Sequence, residues 1–92
     1  MLALFLTIES EEERRTAEEI WKRYQKHIMR SALSVLKNKA GAEDAVMDTV
    51  RNIIQNISRF VNLNETETVC LVTVYARNAS FKIFRKNKKT TN

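Results

Sequence analysis

The sequence predicts an all-α fold, a small three-helix bundle with a long first helix. The chain has 92 residues, 43% hydrophobic and 29% charged, which suffices for one small core, so we expect a single domain over residues 1–92. It contains no Pro and one Gly, which argues against turn-rich sandwiches, barrels and dinucleotide-binding folds. Apolar side chains recur every three or four residues through most of the chain, as in helices with one buried face.

Helix-start signals place the first helix after Ser10. Ser10 and Glu13 form a capping-box pattern, and the glutamates between them suit the positive end of a helix dipole. The expected buried stripe consists of Ala17, Trp21, Tyr24, Ile28, Ala32 and Val35. The helix should end at the break over residues 38–41, where Gly41 marks the turn. The apolar residues 1–8 are far shorter than the roughly 20 residues of a membrane span, so we interpret them as a core-packing segment.

The second helix is expected to open at residues 42–44 and to end near Arg59 or Phe60. Two carboxylates in its first turn suit the helix dipole. One apolar face should continue along it, formed by Ala42, Val46, Thr49 or Val50, Ile53, Ile57 and Phe60. A short loop follows, and Asn64 with Glu67 repeats the capping pattern before a third helix.

The third segment is ambiguous when only a few residues are considered. Residues 68–75 are rich in β-branched side chains, which alone would suggest a strand. The longer window favours a helix, because one apolar series steps by 3, 4, 3 and 4 residues: Val69, Val72, Ala76, Ala79 and Ile83. A polar, cationic series follows the adjacent face with the same spacing: Tyr75, Asn78, Lys82, Arg85 and Lys89. Residues 90–92 are expected to be frayed.

Charge is polarised along the chain, whose formal net charge is +5. Residues 1–48 carry eight basic and nine acidic side chains, a balance of −1, whereas residues 49–92 carry eight and two, a balance of +6. Residues 68–92 contain six basic side chains and no acidic one. This arrangement is typical of a surface that faces phosphate groups.

Five of these cations lie within eight residues at the end of the third helix: Lys82, Arg85, Lys86, Lys88 and Lys89. The simpler interpretation is a solvated helix end, where cations oppose the negative pole of the dipole. The functional interpretation is nucleic-acid binding, in which cations neutralise phosphates and aromatic rings stack on bases. Tyr75 suits either a stacking or a packing role, whereas Phe81 and Phe84 are expected in the core.

The residues offer little for catalysis or metal binding. Cys70 is the only cysteine and His27 the only histidine, so neither an internal disulfide nor a thiolate-imidazole zinc site can be completed, which fits a reduced, cytosolic setting. Asp44 and Asp48 lie four residues apart, with Glu43 beside them, and could be considered as metal ligands. The sequence shows no further His or carboxylate to complete a metal site, so a protein-contact surface is the better functional interpretation. Phosphate-cradling glycine loops, nucleophile elbows and HExxH motifs are absent from the sequence, and we expect neither enzymatic activity nor a cofactor.

Four segments occur in a defined order: Ile20-Trp21-Lys22-Arg23-Tyr24, Ala42-Glu43-Asp44-Ala45-Val46-Met47-Asp48-Thr49, Asn56-Ile57-Ser58-Arg59-Phe60, and Ala76-Arg77-Asn78 with the basic tail. In order and spacing they resemble region 2 of bacterial RNA polymerase sigma factors, most closely the extracytoplasmic-function type. The similarity spans nearly the whole chain, and the four segments together are much more specific than any one of them.

The resemblance implies that the second helix docks on the clamp helices of the polymerase beta-prime subunit. By position, Asp44, Met47 and Asp48 would make the contact, flanked by Arg51 and Asn52. Met47 stands where the family usually has Gln, so a polar contact would be lost or replaced by an apolar one.

The resemblance also implies that the third helix engages the minus-10 element of promoter DNA as the duplex opens. The DNA-binding residues would be Tyr75, Asn78, Lys82, Arg85, Lys86 and Lys89. Of these, Asn78 and Lys82 would face base pairs and Tyr75 would stack at the melted edge. Lys82 stands where many of these factors have Asp, which favours phosphate contact. The loop over residues 61–66 would hold an extruded base of the non-template strand.

The function predicted from this resemblance is that of a cytoplasmic transcription-initiation module. Its partners would be core RNA polymerase, single-stranded minus-10 promoter DNA and an anti-sigma factor. The chain lacks the region 4 domain that reads the minus-35 element in such factors, so we expect a truncated piece or one that works with a separate protein. The alternative is a helical protein-interaction module, such as a polymerase-sequestering fragment, without promoter recognition of its own. A third, weaker hypothesis places the basic end on an anionic membrane, although two partner helices should occupy its apolar positions.

Overall fold

The computed structural model describes the backbone of residues 3–90 and the side chains of residues 3–88. Its elements in chain order are a 3₁₀ helix at Ala3–Thr7, α1 at Glu11–Leu36, α2 at Lys39–Gln55, a 3₁₀ turn at Ile57–Arg59 and α3 at Glu65–Thr90. Each α-helix packs against both others, and the described residues contain no strand. The predicted all-α bundle with a long first helix is confirmed.

The start of α1 is confirmed, but the turn that follows α1 differs from the prediction. The Glu13 amide donates to Ser10 Oγ at 3.3 Å, as the capping pattern requires. At the other end Lys37, not Gly41, takes the left-handed conformation, with φ 59°, and its amide donates to the Leu33 carbonyl. Gly41 lies instead in the first turn of α2, where its amide donates to Asn38 Oδ1 at 2.7 Å.

Both predicted ends of α2 were wrong by a few residues. The helix begins at Lys39 rather than at residues 42–44, because Asn38 provides the N-cap. It ends at Gln55 rather than near Arg59 or Phe60, and the chain continues as the 3₁₀ turn. The tighter winding keeps the apolar face inside, so the predicted buried face of this segment is confirmed as far as Phe60.

The helical prediction for the third segment is confirmed despite its β-branched residues. Asn64 and Glu67 cap α3 reciprocally: the Glu67 amide donates to Asn64 Oδ1 at 2.8 Å, and the Asn64 amide donates to Glu67 Oε1 at 3.1 Å. Thr90 still belongs to α3, and the other residues expected to fray, 91 and 92, lie outside the described part.

The core runs the length of the bundle in two clusters. Phe5 and Ile8 from the N-terminal segment are buried in the larger cluster and Leu4 packs partly against it, which confirms the core-packing interpretation for these residues. Leu6 is exposed, and residues 1 and 2 lie outside the described part. The Arg14 side chain ties this segment to α1 by donating to the Ile8 carbonyl at 2.7 Å. The smaller cluster contains Leu36 and three alanines from α1 and α2, with Ile83 of α3 packed against them. In residues 3–90, no helix has the length and apolar character to cross a membrane.

Contacts between α1 and α3 show that these two helices run in the same direction. Arg23, in the middle of α1, lies 3.6 Å from the carboxylate of Glu65, the first residue of α3. Farther along, His27 Nε2 hydrogen-bonds with Thr73 Oγ1 at 2.7 Å. The remaining helix, α2, packs against both of these parallel helices.

Candidate interfaces on the second and third helices

The residues predicted to contact the polymerase share one side of α2. We call this side the α2 surface, formed by Asp44, Met47, Asp48, Arg51 and Asn52. Asp44, Arg51 and Asn52 are exposed, and Met47 and Asp48 are half-buried, whereas the opposite side of α2 is buried. Arg51 Nη1 donates to Asp48 Oδ1 at 3.0 Å. The pair is largely solvated, so it orients the side chains without adding much stability.

The predicted DNA-binding residues on α3 also share one side of their helix. We call this side the α3 basic surface, formed by Asn78, Lys82, Arg85 and Lys86, all of them exposed. By helical spacing Lys88 lies on a different side of α3, so it does not belong to this surface. The side chain of Lys89, which was also predicted to bind DNA, lies outside the described part.

Tyr75 packs beside the loop rather than standing free. Its ring meets Phe60 edge-on, with ring centroids 5.5 Å apart and an interplanar angle of 89°. The side chain is half-buried, so part of it remains accessible. Because Phe60 is buried, this contact holds Tyr75 close to the connection between α2 and α3.

A cleft next to this loop was not predicted from the sequence. Its volume is about 190 Å³, and α1 forms the wall that faces the loop residues Val61 and Leu63. The charged residues around it are Glu19 and Arg23 from α1 and Glu65 from the start of α3. The sequence predicted a base-binding role for the loop alone. The spacing of residues along α1 does not show which polar side chains of that helix face the loop.

The expectation that Phe81 and Phe84 belong to the core was wrong. Their exposed fractions are 37% and 44%. The buried series of α3 continues through Ile83, and both phenylalanines lie to one side of it, where α1 covers them only in part. The guanidinium of Arg77 lies 5.5 Å from the centroid of the Phe81 ring, a cation–π contact.

The remaining reactive residues do not converge. Within residues 3–88, no group of three or more His, Cys, Asp or Glu side chains is placed to hold a metal ion. Cys70 is exposed and unpaired by any disulfide, and His27 is half-buried against Thr73.

Comparison of the chain with protein-family models, with curated proteins and with solved structures finds no match. Function is therefore inferred from the surfaces described above and from the four-segment resemblance.

Proposed function

We propose that this chain is a transcription-initiation module of the sigma region 2 kind, acting in the cytoplasm. In this proposal the α2 surface binds the beta-prime clamp helices of core RNA polymerase, and the α3 basic surface binds the non-template strand of an opened minus-10 element. The observation that carries the proposal is the presence of two different accessible surfaces, one of mixed charge and one cationic, on two helices that pack against each other.

Electrostatics support the nucleic-acid part of the proposal. The nearest carboxylates on α3 itself are those of Glu65 and Glu67, fifteen or more residues before Lys82. That separation is about 22 Å along a helix axis, well beyond a Debye length of about 8 Å at physiological ionic strength. Lys82 and Arg85 are therefore well separated from the carboxylates of Glu65 and Glu67 and can attract phosphates.

Two residues of α3 and the cleft beside the loop suit contact with unpaired bases. Tyr75 offers a partly accessible ring, and Asn78 offers an amide that can pair with base edges. In the cleft beside the loop, carboxylates of Glu19 and Glu65 can accept hydrogen bonds from exocyclic amines, and Arg23 can donate to base carbonyls. An extruded base held there would recover part of the few kcal/mol lost on unstacking.

The DNA-binding proposal is tested with a fluorescent oligonucleotide of the non-template minus-10 strand, alone and with core polymerase. The variant Lys82→Glu, Arg85→Glu, Lys86→Glu is compared with Arg15→Glu, Lys22→Glu, Lys26→Glu, which has the same net charge and alters exposed residues of α1. We expect the first variant to lose binding in fluorescence anisotropy and the second to retain most of it. Equal losses would mean that net charge alone attracts the oligonucleotide, and retention by the first variant would assign DNA binding to another surface.

The polymerase part is tested with two substitutions that should act in opposite directions. Asp44→Lys reverses a charge on the α2 surface and should abolish capture of a beta-prime clamp-helix fragment. Met47→Gln restores the residue usual in the family and should tighten capture two- to tenfold, since a regained hydrogen bond contributes about 0.5–1.5 kcal/mol. Glu12→Lys, on the exposed start of α1, serves as the control for charge. Both α2 variants should bind the oligonucleotide normally in the absence of polymerase.

A second candidate function is a helical interaction module that sequesters polymerase without recognising promoters. The exposure of Phe81 and Phe84 favours a further protein contact. Capture of core polymerase by a chain whose complex does not bind the oligonucleotide would favour this candidate over the first.

A further inference from the structure

An open groove lined by three apolar and two polar residues lies between α1 and α3. It has a volume of about 290 Å³ and is lined by Ser34, Val35, Arg77, Phe81 and Phe84. We call it the α1–α3 groove. Two exposed apolar residues extend it: Leu33 on α1 and, by helical spacing from Arg77, Val74 on α3. None of these residues belongs to the α2 surface or to the α3 basic surface.

The helices that form the groove carry only one sign of charge there. Residues 22–38 of α1 and the turn after it contain no acidic side chain, and neither do residues 68–92. Arg77 lies in the groove wall, and the exposed Arg30 lies on α1 within one turn of Leu33. An apolar recess with a cationic border is complementary to a partner that is apolar on one side and acidic on the other.

We propose that the α1–α3 groove binds an acidic amphipathic helix of a partner protein. From Val74 to Phe84 the exposed series extends about 15 Å along α3, enough to lie against three turns of a docked helix. Apolar side chains spaced at three and four residues on that helix would enter the groove between the two walls. Carboxylates beside them would meet Arg77, whose planar guanidinium suits a bidentate pair.

Two other occupants are less compatible with this geometry. A stacked nucleic-acid base needs an open ring face, but the Arg77 guanidinium already lies over the Phe81 ring. A second copy of this chain that docked through its own α1–α3 groove would bring two cationic borders together, which like charges oppose.

The test uses a fluorescein-labelled peptide of about 18 residues, long enough for several helical turns, with leucines at i, i+3, i+4 and i+7 spacing and glutamate and alanine elsewhere. A peptide of the same composition in scrambled order and a peptide with lysine in place of glutamate are the reference probes. We expect the acidic amphipathic peptide to bind the full chain at least about tenfold more tightly than either reference, as measured by anisotropy.

Variants of exposed residues locate the binding site. Phe81→Ser with Phe84→Ser should weaken peptide binding about tenfold or more, because aromatic anchors dominate such contacts. Leu6→Ser removes another large apolar side chain, which is 70% exposed and outside the groove, and should leave binding unchanged. Arg77→Glu should weaken binding of the acidic peptide and strengthen that of the lysine peptide.

Several outcomes would overturn the proposal. The acidic amphipathic peptide and its scrambled version would bind equally well, or the Phe81→Ser, Phe84→Ser variant would bind the peptide as the unmodified chain does. A third such outcome is that this variant loses binding of the oligonucleotide but keeps binding of the peptide. Self-association or binding to anionic vesicles that requires both phenylalanines would assign the groove to a second copy or to a membrane instead. The variant with three reversed charges on the α3 basic surface should still bind the peptide. Failure of the groove proposal is thereby distinguishable from failure of the proposed function.

Discussion

At the scale of single residues, Lys37 ends α1 in a conformation that costs free energy for any residue with a side chain. Its φ is 59°, in the left-handed region, and it is the only non-glycine residue among those described with a positive φ. Glycine is the residue that usually occupies this position after a helix. The position is exposed, so the side chain contributes little packing to offset the backbone cost.

We expect Lys37→Gly to raise the free energy of unfolding by about 0.5–1 kcal/mol, because relief of left-handed strain outweighs the added freedom of the unfolded chain. In a domain of this size a gain of 1 kcal/mol corresponds to an increase in Tm of about 4–8 °C. Lys39→Gly makes the same chemical change inside the first turn of α2 and should lower stability instead. Thermal unfolding followed by circular dichroism compares the two, and a lower Tm for Lys37→Gly would contradict this account.

At the scale of elements, the sequence predicted the existence and type of each helix better than its ends or its exposed side. The spacing of Val72, Ala76 and Ala79 identified the buried side of α3 correctly, because this periodicity depends only on the helix itself. The end of α2 was missed because Ile57 and Phe60 remain buried in a 3₁₀ turn, and burial alone does not distinguish the two windings. Phe81 and Phe84 were misplaced because their exposure depends on how far α1 extends across them.

The candidate sites divide in the same way: those formed by a single helix could be predicted from the sequence, and those formed by several elements could not. The α2 surface and the α3 basic surface were predictable, since each is a series on one side of one helix. The cleft beside the loop and the α1–α3 groove were not, since each needs walls from two or more elements. Glu19 and Arg23 show this most clearly, because nothing in their spacing indicates that they border the loop.

The cap of α3 gives a prediction at this scale. Asn64 and Glu67 each accept a hydrogen bond from the other's backbone amide, so they close the loop and start the helix together. We expect Asn64→Ala to lower the free energy of unfolding by about 1 kcal/mol. Glu67→Ala should lower the free energy of unfolding by a smaller amount. The double variant should lower it by less than the sum of the two single variants, because the two hydrogen bonds are coupled. Chemical denaturation measures all three, and strictly additive effects would show that the two caps act independently.

At the scale of the whole molecule, the bundle separates opposite charges as well as hydrophobic and polar residues. Acidic side chains are most numerous at the start of α1, where Glu11, Glu12 and Glu13 form the first turn, and a second group of three lies on α2, whereas α3 after its first turn has none. The described molecule is elongated, 45 by 26 by 18 Å. Because several Debye lengths fit along its longest dimension, the two ends present different potentials to a charged partner at physiological ionic strength.

This separation predicts how salt should affect binding of single-stranded DNA. If the four predicted DNA-binding cations Lys82, Arg85, Lys86 and Lys89 neutralise about four phosphates, the slope of log K against log salt should be about −2.8, following roughly −0.7 per phosphate. Reversing Lys82, Arg85 and Lys86 should flatten that slope by about 2. Reversing Arg15, Lys22 and Lys26 should leave it nearly unchanged, since those residues belong to α1 and not to the α3 basic surface. Oligonucleotide titrations between low and moderate salt measure all three slopes. A shallow slope for the unmodified chain would mean that phosphate contacts do not drive binding, and equal flattening in both variants would mean that the cations act through net charge and not through the α3 basic surface.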